Sequence, residues 1–252
     1  MTGDAYVRYV LAKYRVRTGP GSPAHSAGQA LGPLIRRWAG GFLLAVKYSG
    51  SYAKGTAVAG GTDVDLFISL AHDTPRGLWD IYSSLFDFLQ EKQLAPRRQN
   101  VSIGLTYGDV KVDLVLGRKH SGQTNDHSIY RSQAGTWART DVDRHVSLIE
   151  HSGRTREIRA IKIWRQLHGL DFPSIYLELV VLEALNGRET GQLAANVLAV
   201  LEYLGDTFPR VRLVDPANAN NTISEELSAT GRALVAQQAR RSRRGRWEDI
   251  VW

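Results

Sequence analysis

Two aspartates spaced two apart, Asp63 and Asp65, open an apolar run that continues to Leu70. Side chains alternate along a strand, so these two are expected on one face while Val64 and Leu66 point to the other. Carboxylates forced together repel unless one takes up a proton or a cation neutralises both. Mg²⁺ suits the pair, because it takes oxygen ligands and commonly binds through one or two carboxylates plus substrate phosphates. Upstream, Tyr48-Ser49-Gly50-Ser51-Tyr52 sets a Gly-Ser turn before a small polar loop. A turn of this kind, leading into helical backbone, offers N–H groups and a hydroxyl to a phosphate tail. A third carboxylate lies on a later apolar strand: Val110, Val112, Leu114 and Leu116 share one face, which leaves Lys111, Asp113 and Val115 on the other. The simpler alternative, a strand with two solvated carboxylates beside a Gly-rich loop, gives no reason for Asp113.

The elements that must position these residues follow from periodicity and breakers. A short first helix is expected over residues 4–16, broken by the Gly/Pro/Ser segment Thr18 to Pro23. A second helix starts near Ala24 with Ala27, Leu31, Leu34 and Trp38 on one face, and Gly40-Gly41 stops it. Phe42 to Tyr48 reads as a strand that delivers Gly50-Ser51 at its end. After the aspartate strand, Thr74-Pro75 reads as a helix start, with Leu78, Ile81, Tyr82, Leu85 and Leu89 as the apolar stripe. Asn100 to Tyr107 and Val110 to Leu116 read as a hairpin through Gly108-Asp109. Gly117 to Thr140 is polar and aperiodic, and is expected to be a long functional or mobile loop. Helices are expected at 142–151, 155–168, 174–186 and 191–203, then a short strand Val211 to Val214, turns at Asp215 to Asn221, and a last helix near 224–241. Strands first and helices later give an α+β fold of two lobes, residues 1–140 with a mixed sheet and flanking helices and residues 141–252 helical.

Composition bounds the chemistry. The 252 residues are 43% hydrophobic, enough for a substantial core. With no cysteine there is neither a disulfide framework nor a thiolate metal site, and the seven histidines show no zinc-binding pattern. Met1 to Tyr6 does not read as a signal peptide, and the apolar tracts Phe42 to Val46 and Leu179 to Leu182 are too short to span a bilayer, so a cytoplasmic protein is expected. The formal net charge of +7 favours polyanionic partners. Five arginines fall within Arg240 to Arg246, either as a solvated helix end that complements the helix dipole or as an RNA or nucleotide contact. Trp247 and Trp252 are expected to pack against the body, base stacking being the alternative.

The constellation Gly50-Ser51, Asp63-x-Asp65 and Asp113 resembles the signature of the DNA polymerase β-like nucleotidyltransferases, closest in pattern to the branch of oligoadenylate synthetases, bacterial cyclic-oligonucleotide synthases and CCA-adding enzymes. The resemblance implies a polymerase β-like core with two-metal nucleotidyl transfer, in which Asp63, Asp65 and Asp113 are catalytic residues and ligands of Mg²⁺, with Mn²⁺ as a substitute. The same resemblance implies that residues 1–140 are the catalytic domain and residues 141–252 a lobe for nucleotide or acceptor. Asp113 would accept the proton of the acceptor hydroxyl or serve as a ligand only. Gly50 and Ser51 would receive the β and γ phosphates. In the helical half, Lys162 resembles a lysine that reaches the triphosphate, a solvent-facing lysine being the alternative. Ser174 and Tyr176 resemble the site that meets the base, and a helix N-cap is the plain alternative for Ser174. Thr136 to Thr140 and the Asp215 to Asn221 turn are also similar to segments of this branch.

The function this implies is transfer of NMP from ATP or GTP to a hydroxyl of an RNA, such as tRNA, or of a nucleotide. A cyclic or linear oligonucleotide second-messenger synthase is the alternative within the class. Outside it stands a catalytically silent nucleotide-binding regulator or toxin–antitoxin component. A cationic aminoglycoside acceptor is disfavoured, because it would need acidic surroundings.

Overall fold

The computed structural model describes residues 1–61 and 63–252, so Thr62, within the motif, lies outside the described residues. Two units divide the chain, one comprising Arg17–Lys54 and Thr62–Val146, the other Met1–Val16, Gly55–Gly61 and Ser147–Trp252.

In the first unit, an apolar stripe and a good start make the helix α2 (Pro23–Ala39). Ser22 caps it by accepting the His25 N–H at 3.2 Å, Pro23 occupies its first turn, and Ala24, Ala27, Leu31 and Ile35 are buried along one side. Gly40, at φ +56°, ends it. β1 (Leu43–Tyr48) follows, then the single turn α3 (Gly50–Ala53), then β2 (Val64–Leu70). α4 (Leu78–Glu91) leads to β3 (Arg97–Arg98), β4 (Ser102–Tyr107) and β5 (Val110–Lys119). Among the described residues the sheet runs β1-β2-β5-β4-β3, with β6 (His127–Arg131) on β5 and β7 (Thr136–Thr140) on β6. Only β2 and β5 are parallel in that sheet. One face carries Val64, Leu66, Ile68 and Leu70 of β2, Ile103 and Leu105 of β4, and Val112, Leu114 and Leu116 of β5. These form one cluster with the stripes of α2 and α4. The period-two alternation therefore sends Asp65 and Asp113 to the face away from α2 and α4.

The expected start of α4 and the expected loop at 117–140 both fail in this unit. α4 begins at Leu78, not at Pro75: Arg76 sits at φ +76°, Thr74 turns its hydroxyl onto the Ala71 carbonyl, and the Gly77 N–H bonds the Asp80 carboxylate at 3.2 Å. The expected loop 117–140 instead holds the β6–β7 hairpin, because β5 runs three residues past Leu116 and pairs Gly117 with Ile129. Its anchor is polar, which hid it from hydropathy. Buried His127 receives the Ser69 hydroxyl on Nε2 at 2.8 Å and donates Nδ1–H to the Asn125 carbonyl at 2.6 Å.

Burial, ahead of the nearby Lys47 and Lys119 charges, holds the His127 pKa below its ordinary value, against the pull of Asn125. A depressed histidine disfavours the proton in the folded state, so its stability is present above the unfolded value of about 6.5 and lost as pH falls from there toward the folded value. Thermal melts of wild type should therefore drop between about pH 7 and pH 5 more than those of His127→Asn. Parallel pH profiles of the two proteins would remove His127 from the account.

The second unit is helical: α1 (Gly3–Lys13), the later part of α5 (Val142–His151), α6 (Thr155–Leu167), α7 (Ser174–Ala184), α8 (Leu193–Asp206), α9 (Ala229–Arg243) and α10 (Trp247–Ile250). Its core joins Ile158, Ile161 and Trp164 of α6, Leu177, Val180 and Val181 of α7, and Val197, Val200, Leu201 and Leu204 of α8. The division differs from the expected break after residue 140. α1 and residues 55–61 pack with the helices because Val7, Val10, Leu11 and Val58 bury their side chains in that core. Val211 to Val214 is not a strand, since the Leu213 N–H bonds the Ser224 hydroxyl and not a neighbouring strand. The last long helix starts at Ala229, capped by Ser228, after a 3₁₀ turn at Ile223–Glu226. Trp247 packs on the core, whereas Trp252 stays 43% exposed with its ring 5.4 Å from His168.

Candidate active site

The register of β2 on β5 sets Asp65 directly beside Asp113. Paired residues of neighbouring strands share a face, so the two carboxylates project together on the face that α2 and α4 leave open. Asp63 stands one residue before β2, exposed, and not inside the strand as expected. Its charge still reaches Asp113. Burial first, and the charge of Asp63 second, push the Asp113 pKa above the usual aspartate value. A hydrogen bond from the Gln99 side chain, then Arg97 and Lys111, pull the other way.

The Gly-Ser turn meets these aspartates from β1. The Ser49 N–H donates to the Asp65 carbonyl at 2.9 Å. Gly50 follows at φ +56°, and a Cβ there would be driven into the Asp65 carboxylate, so both the backbone angle and the close approach require glycine. Ser51 is the second residue of α3 and partly exposed, in the turn that the Ser49 N–H ties to the Asp65 carbonyl. One contributor escaped sequence reasoning. Gln99, between β3 and β4, bonds Asp113 and accepts the Ser102 hydroxyl, and only the strand register brings it there.

Among the described residues no three His, Cys, Asp or Glu side chains already stand as a group able to hold a metal ion. The three aspartates nonetheless fit a divalent cation. Asp65 and Asp113 are register partners on one face, and the Asp63 charge that, after burial, raises Asp113 is what a bound cation would relieve.

The expected residues of the helical unit lie elsewhere in character. Lys162 is 3% exposed and not solvent-facing: its Nζ donates to Glu178 Oε1 at 2.6 Å and to the Thr56 hydroxyl at 2.9 Å. Ser174 is the first residue of α7 and not its N-cap, a place taken by Pro173; its hydroxyl accepts Arg165 Nη1 at 3.1 Å. Tyr176 is fully buried against Phe172 and Phe208, with ring centroids 5.3 and 5.2 Å away, so its ring has no free face for a base. Its hydroxyl makes no hydrogen bond of acceptable geometry. Burial raises its pKa, and the nearby Arg232 guanidinium opposes that.

Three of the five arginines of the run have local partners. Arg240 donates to the Gly205 carbonyl, Arg243 reaches Glu202 and Asp206 at 3.3 Å each, and Arg246 lies 3.7 Å from Asp249.

No family model matches the sequence. Against curated proteins, the chain is 26% identical over 202 residues to the cyclic AMP-AMP-AMP synthase of Escherichia coli strain MS 115-1. The match covers 70% of this chain and 63% of that protein, less than two thirds of the relative's length. Solved structures share the fold. E. coli MS115-1 CdnC with ATP superposes with a TM-score of 0.79 at 18% identity, over 95% of this chain and 90% of that one. The CD-NTase CdnG of Bradyrhizobium diazoefficiens in complex with GTP gives 0.83 at 14% identity, over 97% and 91%. The chain thus has the fold of these solved structures, and its sequence, with the Gly50-Ser51, Asp63-x-Asp65 and Asp113 signature, is similar to that of a bacterial cyclic-oligonucleotide synthase among the DNA polymerase β-like nucleotidyltransferases.

Proposed function

We propose that the protein is a Mg²⁺-dependent nucleotidyltransferase that builds an oligonucleotide second messenger, cyclic or linear, from nucleoside triphosphates. The observation that carries the reading is Asp65 set in register beside Asp113, with the Gly50 backbone against the Asp65 carboxylate. That arrangement brings a phosphate-compatible turn and two carboxylates to one end of a strand pair. Asp63, Asp65 and Asp113 would hold the cation, which supplies charge neutralisation at the transferring phosphate. Ser51 and the backbone at Gly50 and Ser51 bind the phosphate tail. Asp113 takes the proton from the attacking hydroxyl, and its raised pKa suits it to that task better than an ordinary aspartate. The rest of the catalysis is positioning, since in-line attack at phosphorus needs little covalent help.

The relative named as a cyclic AMP-AMP-AMP synthase and the neighbours solved with ATP and GTP support nucleotides as both donor and acceptor. An RNA acceptor is less well supported than a nucleotide, since the curated relative is a cyclic-oligonucleotide synthase and Arg240, Arg243 and Arg246 of the basic run already have local partners. Of the helical-unit residues, Ser174 is exposed, whereas Lys162 and Tyr176 are buried within that unit. No helix among the described residues is long and apolar enough to cross a membrane.

Incubation with each α-labelled NTP and Mg²⁺, with and without total RNA, tests the proposal. Label is expected in a small, phosphatase-resistant product that forms from NTPs alone. Label on RNA would move the acceptor to a polynucleotide end, and NTP binding with no transfer to any pool would make the protein a silent binder.

A further inference from the structure

The segment between the Gly-Ser turn and the aspartates is held more firmly than a surface connection requires. Residues 55–61 belong to the helical unit, although the chain on either side, α3 and β2, belongs to the sheet unit. Val58 is 1% exposed, and the Ala59 N–H donates to the Tyr14 carbonyl at 3.0 Å. Thr56 is wholly buried, gives its hydroxyl proton to Glu178 Oε1 at 3.0 Å and accepts Lys162 Nζ. One turn further along α6, Gln166 Nε2 donates to the Ala59 carbonyl at 3.3 Å. A Cβ at Gly60 would come within 2.8 Å of that nitrogen, and one at Gly61 would collide with Gln166 Oε1. Lys162 and Gln166 are four residues apart and so lie on one face of α6. Connections of this kind normally run over the surface with few such bonds.

We infer that Thr56 and Gln166 are positioning residues: by fixing residues 56–61 against α6 and α7 they anchor the segment of chain that leads into Asp63. The anchoring rests on the contacts alone, whereas the role given to it rests on the nucleotidyltransferase reading. Only Thr62 separates the clasped Gly61 from Asp63, and two residues of extended chain reach no more than about 7 Å. A loosened clasp thus frees the chain two residues before the first carboxylate. Misplacement of a reacting group by about 1 Å is enough to cost about a hundredfold in rate.

Wild type, Thr56→Val, Thr56→Ser and Gln166→Ala are compared in two ways: by amide hydrogen exchange without nucleotide or metal, and by steady-state kinetics with the NTP that the wild type consumes. Exchange across residues 57–66 is expected to rise about tenfold in Thr56→Val and in Gln166→Ala. kcat should fall about tenfold to a hundredfold while KM for the NTP moves less than about threefold, and Thr56→Ser should restore both readouts. Unchanged exchange overturns the anchoring. Faster exchange with wild-type kcat, or a loss confined to KM, overturns the positioning role. If the wild type transfers no nucleotide at all, the functional reading fails and takes the positioning role with it, while the exchange data still decide the anchoring. Should Thr56→Val not fold, Gln166→Ala, at a half-buried site, carries the same prediction.

Discussion

Asp113→Asn is expected to lower kcat for nucleotide transfer by roughly 10³–10⁴-fold while leaving the protein folded. The substitution keeps the shape of the side chain and removes both its charge and its capacity to accept a proton. Its effect on stability has an unusual sign. Burial, then the charge of Asp63, raises the Asp113 pKa in the folded protein. A carboxyl raised on folding contributes fully below its unfolded value, and that contribution is lost as pH rises through the folded value. At neutral pH without Mg²⁺ the wild type therefore carries the cost of an ionised, half-buried Asp113, and Asp113→Asn should melt at or above the wild-type temperature. The difference should vanish as the pH falls below the ordinary aspartate range. Asp63→Asn should lower the Asp113 pKa, because it removes the second cause of the shift, and carry the acid limb of any residual rate profile downward. A wild-type kcat in Asp113→Asn, or a neutral-pH melt well below wild type, would sink the assignment.

The parts of this site that were legible in the sequence are those that local rules control. Alternation placed Asp113 on the face opposite Val112 and Leu114, and the breaker at Gly40-Gly41 put β1 where it delivers Gly50. Register is not local. That Asp65 falls opposite Asp113, or that Gln99 reaches it from a residue fourteen earlier, depends on which strands pair and how. Hydropathy also fails where buried polar groups satisfy one another. His127 with Ser69 made the β6 hairpin look like loop, and Lys162 with Glu178 made a core position look like a solvated helix face. Tyr176 shows the converse, since the same residue type serves equally well as a base contact or as core, and only Phe172 and Phe208 around it decide.

The burial of Lys162 makes a second large effect testable. Lys162 and Glu178 are 3% and 1% exposed at the side chain, and 2.6 Å apart, with the Thr56 hydroxyl bridging the same Glu178 oxygen. A pair withdrawn from water this completely gains little over a well-packed apolar substitute, but removal of one member strands the other charge in the core. Lys162→Met, which preserves the length of the stem, is expected to lose about 3–5 kcal/mol of unfolding free energy in urea. Lys162→Met/Glu178→Gln should recover a large part of that, because no formal charge is then left behind and the glutamine oxygen still accepts from Thr56. The non-additive recovery, on the order of 1–3 kcal/mol, measures the coupling between the two side chains. The kinetics separate this role from direct phosphate binding. If Lys162 acts by packing, the double variant, refolded to the native level, keeps the wild-type KM for NTP. If Nζ leaves Glu178 to meet the triphosphate, KM rises about tenfold or more even where stability has been restored. A Lys162→Met variant as stable as wild type would instead show that the ion pair does not exist in solution.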